Sequence, residues 1–355
     1  MNRTRVFSGD EVVYEIEVSN RKLLPLPWLQ IEDELPREVN LLKGKAEKTF
    51  QNRVLLNNIF PINWYHKITR RYPIRCTQRG VFAFGPTRIR SGDLFGLYRK
   101  ETAYEKQTFL TVYPRLVPLE KLGIPSRQLF GDIRIKSHLF HDPVLTAGAR
   151  DYSPGDALKQ IHWKKSARLS KLQSKINEPT TTMDITIFLD VRTVKAPLWG
   201  GLVQLEELGV ITAAALAKHA LESDYGVGLY VNQLRRFSEG SVRVPRSRHA
   251  DQLLHILEAL AEIHHAEAMP IGGLIQQEAS NLPWGSTLLV ITAQPSDGLL
   301  ATLEELERPG RNSVLVRIGG SPGETRSERI PVYHVPDDKA WETVDEININ
   351  DADRG

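Results

Sequence analysis

Apolar and polar residues alternate with a period of two through the first third of the chain, and the spacing lengthens towards a helical one in the second half. The run Val12 to Val18 alternates and predicts a strand, closed by Ser19-Asn20-Arg21. Further strands are predicted over 29–35, 49–56, 64–72, 81–89 and 109–112, separated by turn residues at Gln78–Gly80, Gly85-Pro86 and Ser91–Asp93. Short strands at even spacing with no helical pattern predict an all-β sandwich over residues 1–113. Residues 114–149 have poor periodicity and carry Pro114, Pro118, Pro125 and Pro143, the pattern of a linker, with Phe130 and Phe140 to pack it. Beyond Thr182 the run Ile185–Leu189 is almost continuously apolar and ends in Asp190, as in a strand buried on both faces. Helical spacing over 202–221, 249–263, 271–279 and 299–306 then alternates with strand-like runs at 226–231, 287–291, 314–318 and 332–335, and 240–245 suggests a small hairpin. This pattern predicts an α/β doubly wound domain over 150–340, followed by an acidic tail at 341–355. Trp28 and Trp64 are expected as core or rim aromatics, and Asp93 with Phe95-Gly96-Leu97 as a structural turn.

Between the two patterns lies the densest stretch of the chain, Arg150 to Pro179. Ser153-Pro154-Gly155-Asp156 is turn chemistry, because proline fixes φ, glycine permits positive φ, and the Asp156 carboxylate can accept the first N–H groups of a helix. A helix is predicted from about Ala157 to Arg168, with Ile161 and Trp163 as its apolar groups and Lys159, Lys164, Lys165 and Arg168 as its charges. Residues 171–177 alternate, setting Leu172, Ser174 and Ile176 on one face and Gln173 and Lys175 on the other. Pro179 and Thr180–Thr182 then predict a turn that would make a hairpin with 185–189.

A hydrophobic fraction of 41% with 25% charged residues is that of a globular domain pair. A net charge of +3 does not argue for nucleic acid unless it is concentrated in one patch. Cys76 is the single cysteine, so an intrachain disulfide is excluded and a reducing compartment is expected. The chain shows neither a signal-peptide pattern nor an apolar run near the roughly 18 residues that cross a bilayer, which points to a cytoplasmic location.

The string Arg-Asp-Tyr-x-x-Gly-Asp-x-x-x-x-Ile-His-Trp-Lys-x-Ser-Ala-Arg at 150–168 resembles the signature of the bacterial and archaeal family called domain of unknown function 58. Arg79-Gly80, Asp93–Leu97 and Val112–Arg115 resemble patterns that precede it. The resemblance implies a C-terminal half similar to a von Willebrand factor type A domain, so the expected fold is mixed, a β-sandwich plus that α/β domain. It also implies a partner, a MoxR-type AAA+ ATPase, with other von Willebrand factor A-like proteins as further candidates. Relatives often carry transmembrane helices ahead of the point where this chain begins, which implies membrane association of a full-length protein.

In a doubly wound sheet, ligands sit beyond the C-terminal strand ends, where Asp190 falls. The type A fold places a D-x-S-x-S metal site there, and the corresponding residues are Asp190, Arg192 and Val194. A guanidinium repels a cation and valine offers no side-chain oxygen, so the site is degenerate, with rescue open only through neighbours such as Thr193, Thr292, Ser296 and Asp297. Otherwise Asp190 pairs with Arg192 or caps a helix. No Walker loop, nucleophile elbow or GxGxxG follows a strand, and His264-His265 lacks the partners of a metal motif. Neither cofactor nor small-molecule substrate is expected. For the motif residues Arg150, Tyr152, Gly155, Asp156, Trp163, Lys164 and Arg168 three readings stand. They form internal pairs and packing, with Arg150 against Asp156 or Asp151 and with Tyr152 and Trp163 under the helix; or they dock a protein partner, with Trp163 as anchor; or the basic 159–171 helix binds nucleic acid. The expected function is a non-enzymatic adaptor for the ATPase. The alternatives are a metal-dependent hydrolase-like enzyme using Asp190, or nucleic-acid binding.

Overall fold

The structure, a computed structural model, describes residues 1–337 apart from 43–45, 49–52, 96, 139–140, 155–157, 159–160, 180–183, 194–202, 235–240, 265–267, 284, 308–310, 322, 324, 326 and 328. The acidic tail, Gly155, Asp156, Lys159, Val194, His265, Phe140 and Thr180–Thr182 therefore lie outside the described residues. The chain separates into two compact units, Met1–Arg115 with Leu257–His264, and Leu116–Ile256 with His265 onward.

The first unit holds strands β1 (Arg5–Phe7), β2 (Glu11–Ser19), β3 (Leu26–Pro36), β4 (Val39–Leu41), β5 (Ala46–Lys48), β6 (Arg53–Ile62), β7 (Lys67–Cys76), β8 (Gly80–Phe84), β9 (Thr87–Gly92), β10 (Arg99–Tyr104) and β11 (Thr108–Tyr113). They form three sheets, ordered β1-β11-β8, β2-β7-β4 and β10-β9-β3-β6-β5. Alternation turns one face of each sheet inward, and Val12, Leu35, Leu56, Ile74, Phe84 and Leu110 from all three meet in one core. The strand-like run over 81–89 is two strands, β8 and β9, parted at the predicted Gly85-Pro86 turn, where Gly85 has a φ of 95°. Trp28 donates its indole N–H to the Asp93 carbonyl (3.2 Å), whereas Trp64 is neither core nor rim but an exposed loop residue.

The second unit begins with a short 3-10 turn at Leu119–Leu122, helix α1 (Ser126–His138) and strand β12 (His141–Asp151). The proline-rich stretch read as linker thus carries a helix and a long strand; the prolines precede the helix or sit within a bulged strand. Helix α2 (Trp163–Leu169) and β13 (Gln173–Pro179) follow. Strand β13 pairs antiparallel with β12 and not with the next strand, β14 (Asp184–Leu189), so the predicted hairpin is not formed. Strand β14, apolar apart from Asp184 at its start and the buried Thr186, needs neighbours on both edges and cover on both faces, and it takes the centre of another sheet.

That sheet is built from β14, β15 (Gly226–Leu234), β16 (Ser241–Ser247), β17 (Thr287–Thr292), β18 (Asn312–Ile318) and β19 (Val332–Val335), in the order β16-β15-β14-β17-β18-β19. Five strands are parallel, and β16 runs antiparallel at the edge. The connections contain α3 (Val203–Glu222), α4 (Gln252–Ala261), α5 (Ile271–Glu278) and α6 (Asp297–Glu307). Phe188, Val290 and Leu315 pack with Leu274 of α5 and Leu303 of α6. Leu189 and Ile318, on the opposite face, approach α3 at Gly209, where a Cβ would stand 3.3 and 3.2 Å from their methyl groups. Two turns of small residues in α3 let this helix lie close to the sheet.

Candidate functional site

The 150–179 stretch departs from its predicted shape. The helix starts at Trp163, five or six residues late, because Ile161 is drawn into an isolated antiparallel bridge with Ser174 and is buried. His162 donates its N–H to the Gln173 carbonyl (2.7 Å), and its ring Nδ1 accepts from the Lys165 N–H (3.3 Å) as the helix cap. The Ser166 hydroxyl donates to the His162 carbonyl (3.0 Å) and accepts from the Gln173 N–H (2.9 Å). It is the buried side chain of α2, fastening the helix to β13. Ser166→Ala is expected to leave the buried Gln173 N–H without a partner and to lower unfolding free energy by about 1–2 kcal/mol, measured by urea titration.

On β13, Gln173 and Ser174 are both buried while Leu172 is exposed, contrary to the alternation read from the sequence. The Gln173 amide donates to the Asp151 carboxylate, and this polar tie replaces the apolar face expected there. Arg150 donates to the Asp151 carbonyl (3.4 Å) and the Ser153 hydroxyl (3.5 Å), and Tyr152 is half-buried. Trp163 does not pack under the helix. It occupies the first helical position and is 66% exposed. Lys164, Lys165, Arg168 and Leu169 are exposed around it, and Leu158 and Leu172 nearby in sequence are exposed as well. The motif therefore presents an aromatic ring, aliphatic groups and cations to solvent.

A second candidate lies at the C-terminal ends of β14 and β17, where the strand order reverses and a crevice opens. A cleft of about 580 Å³ there is lined in part by Asp190, Arg192, Gln276, Gln294, Ser296 and Asp297. Asp190 is buried. Its Oδ1 accepts from the Arg192 N–H (3.0 Å) and the Asn232 amide (2.7 Å), and its Oδ2 from the Thr292 hydroxyl (2.8 Å). Burial pushes this carboxyl above the ordinary aspartate value, against the opposing pull of the three hydrogen bonds and the Arg192 charge. Asn232 in turn accepts from the Val191 N–H (3.0 Å) and donates to the Met269 carbonyl (2.8 Å). Thr292 accepts from the Gln294 N–H (3.0 Å), and the Gln294 amide donates to the Thr193 carbonyl (2.9 Å).

Asp190, Arg192, Thr292 and Asp297 are thus gathered at one cleft, while Val194 lies outside the described residues. Among the described residues no three His, Cys, Asp or Glu groups cluster as a metal site would require. The donor set at Asp190 consists of N–H and O–H groups, which satisfy a carboxylate and offer a cation little. Asn232 is the partner the sequence reading missed. Its signal is the Asn-Gln pair that interrupts the apolar run of β15 just as the strand reaches its C-terminal end.

Residues 148–307 match the family described as protein of unknown function DUF58. The DUF58 match takes in both candidates, from the end of β12 through α6, and excludes nearly all of the first unit. The uncharacterized protein YeaD of Bacillus subtilis (strain 168) is 27% identical over 282 residues, which cover 78% of this chain and 65% of YeaD. The chain therefore spans less than two thirds of the length of that relative. Among solved structures, a GH20 exo-β-N-acetylglucosaminidase from Vibrio harveyi aligns with 93% of this chain and 77% of its own, at 8% identity and a TM-score of 0.23. A family 123 glycoside hydrolase from Clostridium perfringens aligns with 90% and 68%, at 10% identity and a TM-score of 0.19. Scores this low carry neither fold nor activity from those enzymes to the DUF58 segment.

Proposed function

We propose that the chain is a non-enzymatic adaptor whose second unit is a degenerate von Willebrand factor A-like module and whose first is a β-sandwich. Its partner is a MoxR-type AAA+ ATPase, and its docking surface is the signature helix. The observation that carries this reading is the exposure of Trp163 among Lys164, Lys165 and Arg168 on a helix fastened to β13 by Ser166. A rigidly mounted aromatic with a cationic surround is the kind of surface that anchors on an acidic partner. The A-like assignment draws support from the strand order with its antiparallel edge and from Asp190 at the switch point. The adaptor reading over the enzyme reading draws support from the engagement of both Asp190 carboxylate oxygens by internal donors.

The test is affinity capture of a MoxR-type ATPase encoded beside the chain's gene, with ATP and without. Nucleotide-dependent capture, or a changed rate of ATP hydrolysis, is expected; neither effect at micromolar concentrations would overturn the proposal.

A further inference from the structure

Three loops leave the same end of the β unit. Strand β3 runs antiparallel to both β6 and β9, so the start of β3 lies beside their ends, with Leu26 opposite Ile62 and Trp28 opposite Gly92. The β2–β3 loop (20–25), the β6–β7 loop (63–66) and the β9–β10 loop (93–98) therefore emerge together. Buried Asn20 clamps the first two: its amide donates to the Leu24 (2.9 Å) and Asn63 (3.1 Å) carbonyls, and its own N–H donates to the His66 carbonyl (2.9 Å). The third is held by the Trp28 indole on the Asp93 carbonyl and by the Asp93 carboxylate on the Tyr98 N–H (2.9 Å).

What these braced loops display is apolar. Leu23 and Leu24 stand on the first, Trp64 and Tyr65 on the second, and Leu94, Phe95, Leu97 and Tyr98 on the third, all exposed, with Phe95 at 84% and Leu97 at 88%. Tyr65 has a φ of 51°, a left-handed conformation that asparagine or glycine adopts at less cost. Residues costly in water, and one costly in backbone too, are thus held outward by a hydrogen-bonded frame. Around them Arg21, Lys22, Arg99 and Lys100 are exposed, against the single carboxylate Asp93, which is turned onto backbone N–H groups. The next acids along the flanking strands, Glu17 and Glu101, are paired with Lys67 (2.7 Å) and Arg90 (3.1 Å).

We propose that this end of the β unit docks on the surface of an anionic lipid bilayer. Leucine and phenylalanine at the tips enter the acyl boundary, the amphipathic rings of Trp64, Tyr65 and Tyr98 sit at headgroup depth, and the four cations meet lipid phosphates. The apolar groups rise on three separate turns. A deformable bilayer accepts separate tips, and the cationic surround is complementary to its charge.

Sedimentation of the full chain with vesicles of phosphatidylcholine containing about 30% phosphatidylserine is the test, with pure phosphatidylcholine vesicles alongside. Binding to the anionic vesicles is expected, weakened by salt and lowered at least about tenfold by Phe95→Ser with Leu97→Ser and, separately, by Arg21→Glu with Lys22→Glu. All four residues are exposed, and an unchanged melting temperature confirms that each variant is folded. No sedimentation at millimolar lipid would overturn the proposal. So would self-association or protein capture that is lost in the Phe95→Ser, Leu97→Ser variant while the wild type ignores vesicles, since the face would then belong to a protein partner.

Discussion

Asp190→Ala is expected to lower the stability of the α/β unit by about 3 kcal/mol or more while leaving partner docking through α2 intact in the folded fraction. The substitution deserts three donors at once, the Arg192 N–H, the Asn232 amide and the Thr292 hydroxyl, in a place where water has little access. Asp190→Asn separates shape from charge. An asparagine oxygen can still receive Arg192 and Asn232, and Thr292 can turn its hydroxyl to accept, so this variant is expected to lose less than the alanine one. Its pH dependence follows from the raised folded-state value of Asp190, which burial causes. A carboxyl raised on folding adds stability that is fully present below its unfolded value, near pH 4, and is lost as the pH climbs through the folded one. Asparagine does not titrate, so Asp190→Asn should gain on the wild type as the pH rises from about 4 to 8 in parallel urea unfolding curves. Millimolar Mg²⁺ or Mn²⁺ is expected to leave the wild-type melting temperature unchanged, because both carboxylate oxygens already serve protein donors. A metal-dependent rise that Asp190→Ala abolishes would transfer the function to the enzyme reading.

Where local pattern and burial act together, the sequence was a good guide. Ile185–Leu189 is apolar except at Thr186, and it lies in the central strand β14; the helical spacing of 202–221 is α3 to within one residue at each end. The same holds for Asp190, Arg192 and Thr292, since a polar residue that ends a buried strand can stand only at the sheet's C-terminal edge. What was lost depends on contacts distant in sequence. Asn232 meets Asp190 across 42 positions, and β13 turns back to β12 instead of onward to β14. The late start of α2 has a local cause that propensity does not see, the competition of a bridge at Ile161 with the helix. Trp163 is left in the first turn of a helix of seven residues, of which Ser166 is the buried one. Trp64 reads in sequence as a core or rim aromatic and Phe95-Gly96-Leu97 as a structural turn, because alternation marks strands and an aromatic or aliphatic pair beside a turn reads as the end of one.

Trp163→Ala should weaken binding of the ATPase by about 30-fold to 1,000-fold, the range of an aromatic anchor worth roughly 2–4 kcal/mol, with stability shifted by no more than about 0.5 kcal/mol. The two expectations are tied to one number, the 66% exposure of the ring. A tryptophan buried beneath the helix would reverse both, costing several kcal/mol of folding when truncated and affecting binding only through loss of structure. Lys164→Glu with Arg168→Glu tests the cationic surround. If an acidic surface docks there, reversal of two charges slows association and steepens the loss at low salt, while dissociation changes less. Binding kinetics at two salt concentrations therefore assign the parts, with the anchor governing the off-rate and the cations the on-rate. Retention of ATPase binding by both variants would move the docking surface off α2. Salt-sensitive affinity for single-stranded nucleic acid that both variants lose would instead assign the same residues to stacking and phosphate contact, because a ring and cations presented together suit either partner.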